Sequence, residues 1–311
     1  MRRGTIVGIG GTSGQDALDR VFPSPGCSAM GGEVRWDAAK SVWWCAMATG
    51  GVAGIVLYPS WSAAAITLAL LVATLCLGHS VGMHRLLIHR AFATPLWLEH
   101  ILVYLGTLVG MAGPIGMFRI HEIRDWQQKQ PDCHPFAKHD AGFWRDALWQ
   151  MHCKLDLERP PVLRIERRVL DDRFYRWLER TWRWQQLPLA ILLYAWGGIG
   201  LVLWGVCLRV ALSLAGHWIT VHFAHTVGAR PHVREDVAAD GRNLSGFGLV
   251  TFGEAFHNNH HAYPRSARMG HSPGQLDPGW WTIRALEALG LAWDVRVPGD
   301  RPATTGAEAA A

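Results

Sequence analysis

Charge is what this sequence has least of. From Ser41 to His84 there is no Asp, Glu, Lys or Arg, and those four types make up only 18% of the 311 residues, against roughly 25% in soluble domains. At about 1.5 Å per residue the uncharged stretch reaches about 66 Å, two crossings of a roughly 30 Å hydrocarbon core. A soluble domain, a disordered chain and a coiled coil are excluded. The 6 cysteines include no Cys-x-x-Cys pair, which speaks against a disulfide framework or a thiolate metal site. A signal peptide is not expected, because Arg2 and Arg3 precede only the short apolar patch Thr5 to Ile9. The glycines that follow, from Gly8 to Gly14, imitate a dinucleotide loop. They lack the second strand that a βαβ unit needs, so residues 1–40 read as a flexible cytosolic arm.

What is present is apolar helix. One hairpin is expected over about 42–83, turning at Tyr58-Pro59-Ser60. A second is expected over about 187–228, where Arg209 is the one charge and Gly197-Gly198-Ile199-Gly200 offers a turn, with a turn near Arg209 itself as the alternative. A charge inside such a helix faces the protein interior or snorkels. Between the hairpins, Leu96 to Met117 is apolar but carries Glu99, His100 and the Gly113-Pro114 break. It reads as a re-entrant or interfacial segment, tolerated where protein covers it. The fold class expected is therefore all-α integral membrane, with four spanning helices, one re-entrant piece and a cytosolic helical cap (about 118–186 and 230–297). The membrane domain covers 41–297, and 298–311 is an Ala-rich disordered tail. Fourteen basic residues against eleven acidic ones between Phe118 and Gln186 put that loop, and with it both termini, in the cytoplasm.

Histidine is over-supplied: there are 16. His84 and His89 lie where the first hairpin leaves the membrane. His257, His260 and His261 fall at 0°, about 300° and about 40° around a helix, a single face from which imidazoles can share metal. His121, His134 and His139 lie in the basic loop. His217 and His225 are about 80° apart on the last apolar helix. Neutral imidazoles bind iron, zinc, copper or nickel without placing anions near lipid. His79, His100, His152, His232 and His271 are read as structural.

Two of these segments are recognisable. His84-Arg85-Leu86-Leu87-Ile88-His89 and Gly253-Glu254-Ala255-Phe256-His257-Asn258-Asn259-His260-His261-Ala262-Tyr263-Pro264 resemble the first and third histidine boxes of membrane fatty acyl desaturases. The resemblance is to the acyl-CoA delta-9 type and its bacterial branch, and it runs from about Trp43 to Val297. It implies a di-iron centre that uses O2 to desaturate a long-chain acyl-CoA or acyl-lipid. Electrons would come from a separate ferredoxin or b-type cytochrome with its reductase, in a bacterial inner membrane with its lipid. By the same resemblance His84, His89, His257, His260 and His261 would be iron ligands, with His225 as an additional one.

The family's second box, Arg-Asp-His-Arg-x-His-His, is matched here to Arg124-Asp125-Trp126-Gln127-Gln128-Lys129-Gln130, without its histidines. His121, His134, His139 or His217 would then complete the site. Glu122 and Asp125 are read as salt-bridge partners before ligands. Arg119, Arg124, Arg265 and Arg268 are candidates for carrier phosphates, with lipid phosphates as the alternative. A hydroxylase on the same scaffold and a non-catalytic lipid-binding descendant remain alternative readings. Nothing points to nucleic acid beyond charge.

Overall fold

The computed structural model describes residues 5–9 and 20–299; residues 10–19 and 300–311, which include most of the glycine-rich loop and the Ala-rich tail, lie outside the description. Among the described residues, three helices are long and apolar enough to cross a membrane: α1 (Ala38–Leu57), α2 (Trp61–Ile88) and a run over Gln186–Thr226, α9. The first N–H groups of a helix need acceptors from outside it. The Asp37 side chain accepts from Lys40 N at the start of α1, and that of Ser60 from Ala63 N at the start of α2.

α9 doubles back on itself. Gly197 (φ −150°, ψ 22°) and Gly198 (φ 71°, ψ −164°) are not helical, and the left-handed φ of Gly198 is one that glycine supplies without a Cβ clash. The two arms run antiparallel: Arg209 Nη2 donates to Gln186 Oε1, and Leu193 packs on Gly205. Arg209 is fully buried and faces the interior. Its Nη1 donates to Leu108 O (2.7 Å) and its Nε to Gly205 O (2.8 Å). This is one of the two turns that the sequence offered.

Between α2 and α9 lie α3 (Leu96–Thr107), α4 (Pro114–Gln128), α5 (Pro135–Lys138), α6 (Phe143–His152), α7 (Arg167–Leu170) and α8 (Arg173–Thr181). After α9 come α10 (His257–Ala262) and α11 (Pro278–Ala288). α3 has 12 residues, about 18 Å of helix, too short to span. It lies against the second half of α2, where Gly82 and Gly106 let backbones touch: a Cβ on Gly106 would sit 2.7 Å from Gly78 O. Glu99, the acid in this apolar helix, points at the cap and accepts from Tyr175 Oη (2.6 Å) and Arg168 Nη1 (2.9 Å).

The fold is not purely helical. Among the described residues five strands, β1 (Ile6–Ile9), β2 (Val21–Phe22), β3 (Gly32–Trp36), β4 (Cys153–Leu157) and β5 (Val162–Glu166), form sheets in the orders β1-β5-β2 and β3-β4. β1 runs parallel to β5, and the other pairs are antiparallel. This departs from the expected free arm over residues 1–40. The segment just before α1 is stitched to the cap, and Arg20 is buried between Glu122 (2.7 Å) and Glu166 (2.7 Å) while donating to Ile88 O (2.6 Å). Strands this short have little periodicity, and their partners lie more than 100 residues away in sequence.

Candidate metal centre

His84 and His89 are five residues apart. On an α-helix that separates them by about 140°. The last stretch of α2, Val72–Ile88, is instead wound as π-helix, and His89 N–H donates to His84 O (3.0 Å). Bonding from i to i+5 carries His89 round onto the face of His84, with ring centroids 4.8 Å apart. His121 of α4 meets them: its Nε2 lies 3.1 Å from His84 Nε2 and 3.2 Å from His89 Nε2. His260 of α10 closes the set, 4.6 Å from both rings of α2. The four are buried, with ligand atoms all within 4.8 Å of one another.

A second group stands beside it. His225, at the end of α9, meets His257 and His261 of α10, again buried and within 4.8 Å. The asparagines between the histidines of α10 lock this short helix in place. Asn258 Nδ2 donates to Gly241 O (2.7 Å) and His232 O (3.0 Å), and Asn259 Nδ2 to Met269 O (2.7 Å). Asn243 Oδ1 in turn accepts from the backbone N–H of both, at 3.0 and 3.2 Å.

Acceptors behind the rings fix their orientation. Glu254 Oε2 lies 2.7 Å from His84 Nδ1, and its Oε1 accepts from Ser80 Oγ (2.6 Å). His84, then Arg85 and Ser80, hold the Glu254 carboxyl far below the usual carboxylate range despite burial. His225 Nδ1 lies 2.8 Å from Val221 O. Asp125 Oδ2 is 3.8 Å from His121 Nδ1, an ion-pair separation too long for a hydrogen bond. A ring that donates through Nδ1 presents Nε2 to a metal.

The residues present fit a pair of metal ions. Three Nε2 atoms of the first group crowd one another, and both ring nitrogens of His260 and His261, with Nε2 of His225 and His257, are buried without a hydrogen-bond partner. Such orphans are costly, and a cation would satisfy them together. Burial, reinforced by neighbouring histidines, holds His121, His257, His260 and His261 below the ordinary imidazole range, the neutral form a metal requires.

Of the remaining candidates, His139 enters a third buried group with Asp146 and His222. His134 caps α5, accepting from Phe136 N (3.1 Å). His217 packs edge-on against His79 (5.1 Å). Neither joins a metal-ligating group among the described residues. The Arg124 charge is close enough to lower the proton affinity of His121, His139 and His257. Arg119, Arg265 and Arg268 are half-buried, and Arg268 Nε donates to Gly270 O (2.5 Å). Glu122 is taken by Arg20. Sequence reasoning gave no role to Glu254, Asp146 or His222. For Glu254 a signal existed, its place three residues before His257; Asp146 and His222 carried none.

The fatty acid desaturase family model matches residues 59–291. The chain belongs to the fatty acid desaturase family. Among similar proteins, an sn-1 stearoyl-lipid 9-desaturase of Synechocystis sp. is 34% identical over 242 residues, covering 77% of this chain and 73% of the relative. An sn-2 palmitoyl-lipid 9-desaturase of Nostoc sp. is 33% identical over 248 residues, 79% and 86% of the two chains. An acyl-CoA C20 Delta5-desaturase of Anemone leveillei is 31% identical over 243 residues, 78% and 76%. In this desaturase the histidine groups lie at the ends of the apolar helices α2 and α9.

Proposed function

We propose that this chain is a fatty acyl desaturase, an oxidoreductase that inserts a cis double bond into a long-chain acyl group at a di-iron centre held by the two histidine groups. The observation that carries the reading is the pair of buried imidazole clusters meeting on α10 in a chain of this family. When bound, iron with O2 supplies the oxidising power to take two hydrogens from adjacent unactivated methylenes. The protein's share is positioning and exclusion of water. α2, α4, α9 and α10 hold the imidazoles neutral and dry, and Glu254 and Val221 O fix ring orientation.

The substrate is an acyl-lipid or acyl-CoA, the two carriers named among the relatives. Arg119, Arg124, Arg265 and Arg268 are the proposed phosphate contacts. Electrons come from a separate ferredoxin or b-type cytochrome and its reductase. Counting the two arms of α9 separately gives four crossings. Both termini and the metal centre then lie on the cytoplasmic side of a bacterial inner membrane, with a cap over about 118–186 and 230–297.

Expression in cells with a saturated acyl pool, followed by gas chromatography and mass spectrometry of total fatty acids, tests the reading. A new monounsaturated species supports it. A hydroxylated product assigns the chain to hydroxylation, and an unchanged pool with iron-loaded protein contradicts catalysis.

A further inference from the structure

The third histidine group has no part in the reading above. Asp146 on α6 is fully buried, and four donors converge on its carboxylate. His139 Nδ1 lies 3.1 Å from Oδ2 and His222 Nδ1 2.8 Å. Trp218 Nε1 donates to Oδ2 (2.9 Å) and Gln150 Nε2 to Oδ1 (3.3 Å). A carboxylate offers about four acceptor positions, so these saturate it. The arrangement reads as a holder of imidazoles, not as a third cation site.

His139 is held for a purpose. With Nδ1 donating to Asp146, the lone pair of the neutral ring is on Nε2, and that atom is buried without a partner. The ring is stacked on His225 at 5.4 Å. Rings within the two metal groups lie from 4.3 Å (His257–His261) to 6.1 Å (His121–His260) apart, a range that includes the 5.4 Å between His139 and His225. His139 also has left-handed backbone (φ 62°, ψ 27°), which costs about 1–2 kcal/mol outside glycine.

The sequence of α4 shows why a ligand must come from here. His121, Arg124 and Asp125 repeat the i, i+3, i+4 spacing of His257, His260 and His261, but only the first is an imidazole. A guanidinium has no lone pair to offer and Asp125 enters neither metal group, so among the described residues α4 gives the first group one ligand, His121, and the second group none.

We propose that His139 is the fourth imidazole of the second metal position, beside His225, His257 and His261, and that Asp146 is its positioning residue. The proposal rests on the two-metal reading above. Anaerobic titration of metal-free, detergent-purified protein with Co2+ tests it, read by visible absorption and by cobalt retained after desalting. Wild type takes up two ions. His139→Ala keeps one tight site and weakens the other by at least about 10-fold, and Asp146→Asn weakens that same site by about 10–100-fold with an altered cobalt band. Added imidazole restores the second ion to His139→Gly. If His139→Ala does not fold, Asp146→Asn, which keeps the shape of the side chain, decides alone. Two ions at wild-type affinity in the folded variant overturn the proposal. So do three ions in wild type with only the third lost in Asp146→Asn, since Asp146 would then be a ligand of its own site. Fewer than two ions in wild type overturns the two-metal reading itself.

Discussion

The carboxylate of Glu254 stands 2.7 Å from Nδ1 of His84, and this contact joins the membrane helix α2 to the loop that leads into α10. The acid lies against Nδ1 while Nε2 of the same ring faces His121, and its charge would offset part of that of bound ions. Glu254→Gln keeps the shape and loses the charge. It should lower affinity for the first metal position by about 10–100-fold, measured by competition with a chelator, while the circular dichroism spectrum stays the same.

Arg209 is a structural charge. It ties both arms of α9 to the break after α3 through Leu108 O, Gly205 O and Gln186. Arg209→Leu strands Gln186 and the Leu108 carbonyl in an apolar surround and should cost about 3 kcal/mol. Thermal unfolding in detergent should fall by roughly 5–10 °C, with iron content per folded chain maintained.

Gly106 packs where no side chain fits, 2.7 Å from Met83 Cγ as well as from Gly78 O if a Cβ is added. Gly106→Ala must push α3 off α2 at a cost of about 1–3 kcal/mol. Because Met83 precedes His84, the variant should lose bound iron as well as stability. Metal analysis of the folded fraction separates this expectation from simple destabilisation.

Asp146 supplies a pH dependence. Although burial opposes it, hydrogen bonds from His139, Trp218 and His222 hold its carboxyl down to about 2 from an ordinary 3.8. A depressed carboxylate contributes stability above its unfolded value, lost as pH falls through the folded one. The difference between wild type and Asp146→Asn, about 2 kcal/mol by this shift, should be constant above about pH 5 and shrink between about pH 4 and pH 2. Melting of both proteins in detergent across that range checks it; a difference that grows on acidification would contradict the assignment.

The long-range order of this chain was legible where it is written in hydropathy. The long apolar helices α1, α2 and α9 follow from the scarcity of charge; the break at Gly197-Gly198 was one of two turns the sequence offered, and an inward-facing Arg209 one of two placements. The shared face of His257, His260 and His261 follows from helical spacing. The π-winding that brings His89 beside His84 does not, because it depends on hydrogen bonds that no periodicity announces. On α4, His121, Arg124 and Asp125 hold the i, i+3, i+4 positions that His257, His260 and His261 hold on α10. Asp146 and the strands of the N-terminal segment were hidden for a shared reason, since their partners lie far away in sequence and only the folded chain brings them together.

Iron per chain is the most direct test of the account. Detergent-purified wild type should hold about two irons, and a His257→Ala, His260→Ala double variant, which takes a ligand from each group, should hold close to none while eluting at the same volume in gel filtration. Well-folded wild type without iron, or a double variant that keeps both ions, would contradict a metal centre built from these histidines.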